Sequence, residues 1–364
     1  MSFDGVLDQK IPKRILSGAL RRNLLASAYL FYGAQGTGKW AMALELAKAI
    51  NCEKDSGEAC DVCPSCRKIQ KMIHPDVRMI FPLPSAKSEE KSQKETERYR
   101  RLKRDEPYSV VRYERTINIP VEQIRSMQKD VYLKPFEAKR KVVIIAEAEN
   151  MHISSANSLL KTLEEPPQDT NLILTSNDAN RLLPTVVSRC QQIRFSKIPT
   201  GIIEERLIRD HQVDEQKASY CASISNGSYG RALEFLHGEK EDLRQDALNL
   251  LDVAAQGQTS QSIKMVKLLL DRWDRNSILE MLEFLISIFR DMYMLGEGSN
   301  QLINADLATD MVKLSEKFDR QNKIERAFRM VDQIRMECQI RNASLKLSLL
   351  NLCLKIKELS RRRA

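Results

Sequence analysis

Tyr29-Leu30-Phe31-Tyr32 is an aromatic and aliphatic run, and Lys141-Val142-Val143-Ile144-Ile145 is apolar after its first residue. Short runs of this kind mark strands buried on both faces of a parallel sheet. Ala41 to Ile50 holds no Gly or Pro and predicts a helix directly after a glycine-rich turn. Further on, the pattern predicts a helix around residues 121–131, a strand ending at Ala146, a helix through 156–164 and a strand at Leu172-Ile173-Leu174-Thr175. Pro166-Pro167 stops the third of these helices. Such alternation implies an α/β domain, a parallel sheet with helices on both faces. After Pro199 strand signals fade and helices dominate. Ile278, Met281, Leu282, Leu285, Phe289 and Met292 recur at helical spacing, as do Leu345, Leu349, Leu352, Ile356 and Leu359. These stripes predict core or helix-packing surface in a helical bundle. The expected organisation is a sheet domain over 1–198, a small helical lid over 199–244 and an all-α domain over 245–364.

The glycine-rich turn has its own chemistry. Residues 33–40 read Gly-Ala-Gln-Gly-Thr-Gly-Lys-Trp, a phosphate-binding loop through Lys39 that lacks the final hydroxyl. In such loops backbone N–H groups curl around phosphate, the Lys reaches the terminal phosphates, and a Ser or Thr ligates Mg²⁺. Gly33, Gly36, Gly38 and Lys39 are therefore candidate phosphate contacts, while Trp40 has no atom for the metal. P-loop enzymes hold Mg²⁺ a second time with an acid at the end of a buried strand. Ala146 stands at that point here, followed by Glu147, whose carboxylate remains to orient a water. With both metal ligands gone, ATP and Mg²⁺ binding on this chain is expected to be weak or absent. A glycine turn that binds nothing is the competing reading.

The 364 residues, 42% hydrophobic and 29% charged, allow two or three domains with proper cores. No stretch approaches the ~18 apolar residues of a membrane span. Met1-Ser2-Phe3-Asp4 opens neither a basic nor an apolar leader, so a cytoplasmic protein is expected. The net charge of +9 favours contact with nucleic acid or an acidic partner, and a solvated basic surface explains it equally. Cys52, Cys60, Cys63 and Cys66 form C-x7-C-x2-C-x2-C, with Gly57 and Pro64 to turn the chain. Four soft thiolates at this spacing suit tetrahedral Zn²⁺ in a structural role. Cys190, Cys221, Cys338 and Cys353 are scattered and read as small apolar residues. Between Ser85 and Arg115 there are ten Lys or Arg and seven Asp or Glu, with little apolar periodicity. That stretch is expected to lie outside the core as a surface insertion. Tyr99 and Tyr108, among Arg98, Arg100, Arg101, Lys103 and Arg104, give it a second reading as a nucleic-acid contact.

Two blocks remain: Ser155-Ala156-Asn157-Ser158-Leu159-Leu160-Lys161-Thr162-Leu163-Glu164-Glu165-Pro166-Pro167, and Leu182-Leu183-Pro184-Thr185-Val186-Val187-Ser188-Arg189-Cys190. Together with the phosphate loop and the cysteine module after it, they resemble the clamp-loader branch of the AAA+ proteins, which serves bacterial DNA polymerase III. The resemblance runs over nearly the whole chain, including Arg231 in a sensor-like segment. It implies an AAA+ sheet domain with an inserted zinc module, a lid and a C-terminal collar that joins subunits. It further implies gamma/tau and delta subunits as partners, with the sliding clamp and primer-template DNA reached through the complex. Motor subunits keep the hydroxyl and the acid that Trp40 and Ala146 replace, so the resemblance is to a non-motor, stator-like subunit. In that setting Arg189 would reach across a subunit boundary to the neighbour's ATP as an arginine finger. The competing functions are an ATP-hydrolysing gamma-type motor and a zinc-dependent nucleic-acid-binding module. The family assigns nothing to the charged insertion or to Arg361-Arg362-Arg363.

Overall fold

Tyr29, Leu30 and Phe31 have no exposed surface, as a central strand of a covered sheet requires. The computed structural model describes residues 3–54, 57–84, 89–111, 113, 116–238, 241–299, 302–318, 321–340 and 343–360. Arg361 to Arg363 lie outside them, as do 85–88, 112, 114 and 115 of the charged stretch. The chain divides into two compact units, one of residues 1–213 and 225–233, the other of 214–224 and 234–364.

The first unit opens with α1 (Lys10–Arg21), β1 (Ala28–Tyr32) and α2 (Lys39–Ile50). Next come α3 (Pro64–Gln70), β2 (Val77–Ile80), β3 (Leu83–Pro84) and α4 (Glu89–Asp105). The middle is β4 (Ile117–Asn118), α5 (Val121–Val131), β5 (Lys141–Ile145) and α6 (Ile153–Glu164). Then follow β6 (Thr170–Ser176), α7 (Pro184–Val187), β7 (Gln191–Arg194) and α8 (Thr200–His211). A five-stranded sheet runs β2-β5-β6-β1-β7, every pair parallel, and β3 with β4 forms a small antiparallel pair. The register sets Leu30 beside Leu174 and Val143 beside Leu172. Ile124 and Met127 of α5, Leu159 and Leu163 of α6 and Val186 of α7 cover these strands in one buried cluster. Each such aliphatic side chain contributes roughly 1.5–3 kcal/mol by leaving water. The parallel α/β sheet predicted above is the fold observed.

Two edge strands, β2 and β7, escape the periodicity reading. An edge strand is half solvated, so its apolar signal is short: of Gln191–Arg194 only Ile193 is buried. The charged stretch departs from expectation more deeply. It forms the 17-residue helix α4, whose polar face is solvated while Tyr99 and Lys103 are buried, followed by buried Tyr108 and Val111. Its described part is therefore not peripheral, and neither Tyr99 nor Tyr108 is available to stack on a nucleic acid.

The second unit holds α9 (Glu215–Ile224), the end of α10 (Tyr229–Leu236), α11 (Glu241–Gln256), α12 (Thr259–Arg272) and α13 (Arg275–Gly296). It closes with α14 (Ala308–Ser315), α15 (Gln321–Ile340) and α16 (Leu345–Ser360). The predicted stripe of α13, Ile278 through Met292, is fully buried, and so are Leu349, Leu352 and Ile356 of α16. Arg244 is 1% exposed and forks onto Asp306 with bonds of 2.7 and 2.8 Å, while a third reaches Asn304 at 3.0 Å. Such a pair positions the 302–307 segment against α11, and removing one partner alone strands a buried charge. Leu347 and Leu354 of α16, Ile263 and Leu268 of α12 and Met336 of α15 stay exposed. No described helix is long and apolar enough to cross a membrane.

Candidate functional site

The phosphate loop leaves β1 and enters α2 in the expected frame. Gly33, Gly36 and Gly38 all take positive φ, at 145°, 71° and 97°. A Cβ on Gly33 would lie 2.3 Å from the Phe195 carbonyl oxygen, so only glycine fits there. Lys39 is buried, and its ammonium donates to the carbonyls of Gly33 and Ala34, both at 2.6 Å. It is thus folded back onto the loop. Burial lowers its pKa to about 7, against the opposing pull of Glu149 and Glu147. Trp40 turns into the core at 5% exposure, and Ala146, the residue directly after β5, is 2% exposed. Neither offers an oxygen.

Glu147 follows in the left-handed region, φ 48° and ψ 51°, a conformation worth about 1–2 kcal/mol of strain for a non-glycine residue. It lines the same cavity as Lys39 and Trp40. Burial raises its carboxyl pKa to about 7, opposed by Lys103. Lys103 comes from α4 and is itself pushed down to about 8 by burial. Its ammonium donates to the Ser109 carbonyl at 2.5 Å and lies 5.9 Å from the Tyr99 ring centroid. Tyr99 stacks on Phe81 at 4.1 Å and meets Trp40 edge-on at 6.3 Å. Tyr108 covers Gly38, where a Cβ would lie 2.9 Å from its ring. The cavity left over the loop measures about 40 Å³. Composition alone concealed this arrangement. The signal to be read was Tyr99 and Lys103 one turn apart on a helix with few other apolar anchors.

The cysteine module joins the end of α2 to α3. Cys52, Cys60, Cys63 and Cys66 carry free thiols whose four sulfurs all lie within 4.8 Å of one another. Tetrahedral Zn–S bonds of ~2.3 Å place sulfurs ~3.8 Å apart, so an inward shift of about an ångström closes the set. Backbone N–H groups of Cys63 and Cys66 donate to the sulfurs of Cys60 and Cys63, each at 3.4 Å. Such bonds favour thiolate: the N–H groups of Val62 and Cys63 lower the Cys60 pKa to about 6. Burial instead raises Cys66 to about 12. Four sulfur donors gathered this closely form a cluster able to hold a metal ion through these four side chains.

Arg189 sits between α7 and β7, at the open edge of the sheet. Its guanidinium donates to the Thr185 carbonyl at 2.9 Å and pairs with Glu164 at 2.6 Å. The side chain keeps 34% of its surface exposed. It is not among the residues lining the chain's own phosphate cavity. Glu164 belongs to the other signature block, so the fold pairs residues of two separate motifs that lie 25 positions apart in the chain.

The model of the family described as "DNA polymerase III, delta subunit" matches residues 8–199, more than half of the chain. The chain belongs to this family. It is 29% identical over 297 residues to DNA polymerase III subunit delta' of Bacillus subtilis, covering 81% of this chain and 80% of that protein. Tau of the same organism is 30% identical over 240 residues, covering 64% of this chain and 37% of tau. The chain thus spans little more than a third of that relative. A gamma-subunit-related protein of Thermotoga maritima superposes over 97% of this chain and 100% of its own, with 17% identity and a TM-score of 0.44. Within the DNA polymerase III delta family, the delta' type fits this chain, whose two apolar residues at the metal positions are Trp40 in the phosphate loop and Ala146 after β5.

Proposed function

We propose that the chain is the delta'-type stator of a DNA polymerase III clamp loader, assembling with gamma/tau and delta subunits to place the sliding clamp on primed DNA. The observation that carries this reading is the family match joined to apolar residues at both Mg²⁺ positions, Trp40 in the phosphate loop and Ala146 after β5. In phosphoryl transfer the metal neutralises charge developing on the γ-phosphate, and here Trp40 and Ala146 supply no ligand for it. The pure chain is expected to show no ATPase above background. Turnover that Lys39→Ala abolishes would instead make it a gamma-type motor. A nucleic-acid-binding module is disfavoured, because the two tyrosines of the basic stretch are buried.

Functionally we divide the chain into an AAA+ sheet domain over 1–198, a lid over 199–244 and a collar over 245–364. The exposed Leu347 and Leu354 support the collar, since the predicted stripes are already used inside their own bundle. Replacing both with Asp should leave the helical content and melting of the free chain unchanged. It should weaken co-assembly with the partner subunits by an order of magnitude or more, at roughly 1.5–3 kcal/mol per buried leucine. Undiminished assembly by analytical ultracentrifugation would remove that surface from the interface. We assign Zn²⁺ to the four cysteines as a structural ion, and Arg189 to the nucleotide of a neighbouring subunit.

A further inference from the structure

The phosphate cavity is filled from within. Pockets that hold a nucleotide-sized ligand have volumes of roughly 300–1,000 Å³, whereas the space over this loop is about 40 Å³, room for a water or two. The missing volume is occupied by α4 and the turn after it. Tyr108 lies across Gly38, and its hydroxyl oxygen accepts from the Leu7 backbone N–H at 2.6 Å. The Tyr108 carbonyl oxygen would stand 2.2 Å from a Cβ on Gly230, and its ring meets Tyr229 edge-on at 5.2 Å. Gly230 in turn donates to the Gly36 carbonyl at 3.2 Å. Lys103 lines the cavity together with Lys39, and both ammonium groups donate to backbone carbonyls of the chain itself, Lys39 to Gly33 and Ala34 and Lys103 to Ser109. Trp40 is not merely a lost metal ligand; through Tyr99 it is the platform on which α4 seats.

We propose that residues 99–109 are an intramolecular plug that takes the place of nucleotide, tying the phosphate loop to the 228–230 segment by packing rather than through a ligand. The proposal rests on reading residues 33–39 as a phosphate loop. It explains why a chain with no use for Mg²⁺ keeps every glycine and the lysine of that loop. Gly38 and Gly36 leave room for Tyr108 and for the 228–230 backbone, and Lys39 satisfies the loop's own carbonyls. Occupancy then does not vary with cellular ATP, and this subunit holds one shape while its neighbours cycle.

The test is binding of a fluorescent ADP without magnesium to the full chain, to Tyr108→Ala, and to a variant with 89–109 replaced by a Gly-Ser linker. A plug seated ~99% of the time weakens apparent affinity ~100-fold, so the unplugged variants should gain about that factor. Equal affinity of wild type and both folded variants overturns the plug and leaves the phosphate loop standing. No binding by any of the folded chains overturns the phosphate-loop reading, and the plug with it. Hydrogen exchange on the unaltered chain decides independently of variant folding. Amides of 99–109 should exchange slowly and identically with and without millimolar ATP, whereas exchange as fast as in a free peptide rules the plug out.

Discussion

Arg189→Ala in the reconstituted loader is expected to depress ATP hydrolysis at one partner site by ~1,000-fold or more, the scale at which an arginine finger acts on phosphoryl transfer. Where the other interfaces carry fingers of their own, total ATPase should fall only in part, and clamp loading should fall further than ATPase. The structure makes the side chain fit for this work. Its partners, Glu164 at 2.6 Å and the Thr185 carbonyl at 2.9 Å, lie at the surface. An exposed ion pair contributes ~0–1 kcal/mol, so the guanidinium leaves it readily for a phosphate. The same weakness separates function from structure. If Arg189 served only to hold Glu164, then Glu164→Gln would reproduce the Arg189→Ala defect; with a finger, Glu164→Gln leaves hydrolysis nearly intact. Normal hydrolysis and loading by Arg189→Ala would eliminate the trans role. Both variants should melt within about 1 kcal/mol of the unaltered chain.

Stripping metal from the cysteine module should have the largest effect on stability. Structural Zn²⁺ in small four-ligand sites binds with an apparent ~10–16 kcal/mol near neutral pH, and much of that is folding free energy of the module. The purified chain is expected to carry about one equivalent of zinc by elemental analysis. Cys63→Ser should lose it and unfold the segment from Cys52 to α3. Cys63 would be lost twice there, as a proposed ligand and as the N-cap whose sulfur accepts from Cys66 N–H at 3.4 Å. The sign of the pH dependence follows from the thiols. Cys66 without metal is held up near 12 by burial, so binding must expel its proton, and affinity falls as the pH falls. The parallel sheet should survive, since its buried cluster and that of the cysteines are separate. A metal-free preparation with four freely alkylated thiols would refute the assignment.

What was legible in the sequence was whatever depends on neighbours along the chain. β1 and β5 are buried on both faces, so their apolar runs needed no partner to be recognised, and the glycines at 33, 36 and 38 announce a positive-φ turn wherever they occur. Four cysteines within 15 residues are brought together by local turns, and the fold gathers them as their spacing predicts. The two missing magnesium ligands are likewise a matter of which residue stands at which position.

Tertiary structure decided the rest. β2 and β7 are edge strands whose pairing, not their composition, makes them strands. The exposed face of α4 carries the charge that made 89–105 look peripheral, while single residues, Tyr99, Lys103 and then Tyr108, carry its burial. An apolar contact every fourth residue is too sparse to register as periodicity, yet it suffices when the receiving surface is a cavity over glycines. Arg189 and Glu164 are a motif pair only because α6 and α7 converge at the sheet edge. Long-range contacts of this kind are set by shape and by the entropy of closing loops, neither of which a linear pattern encodes. The chain names its own family by its local motifs. Whether its phosphate loop is open or filled is decided by a helix that begins fifty residues further along the chain.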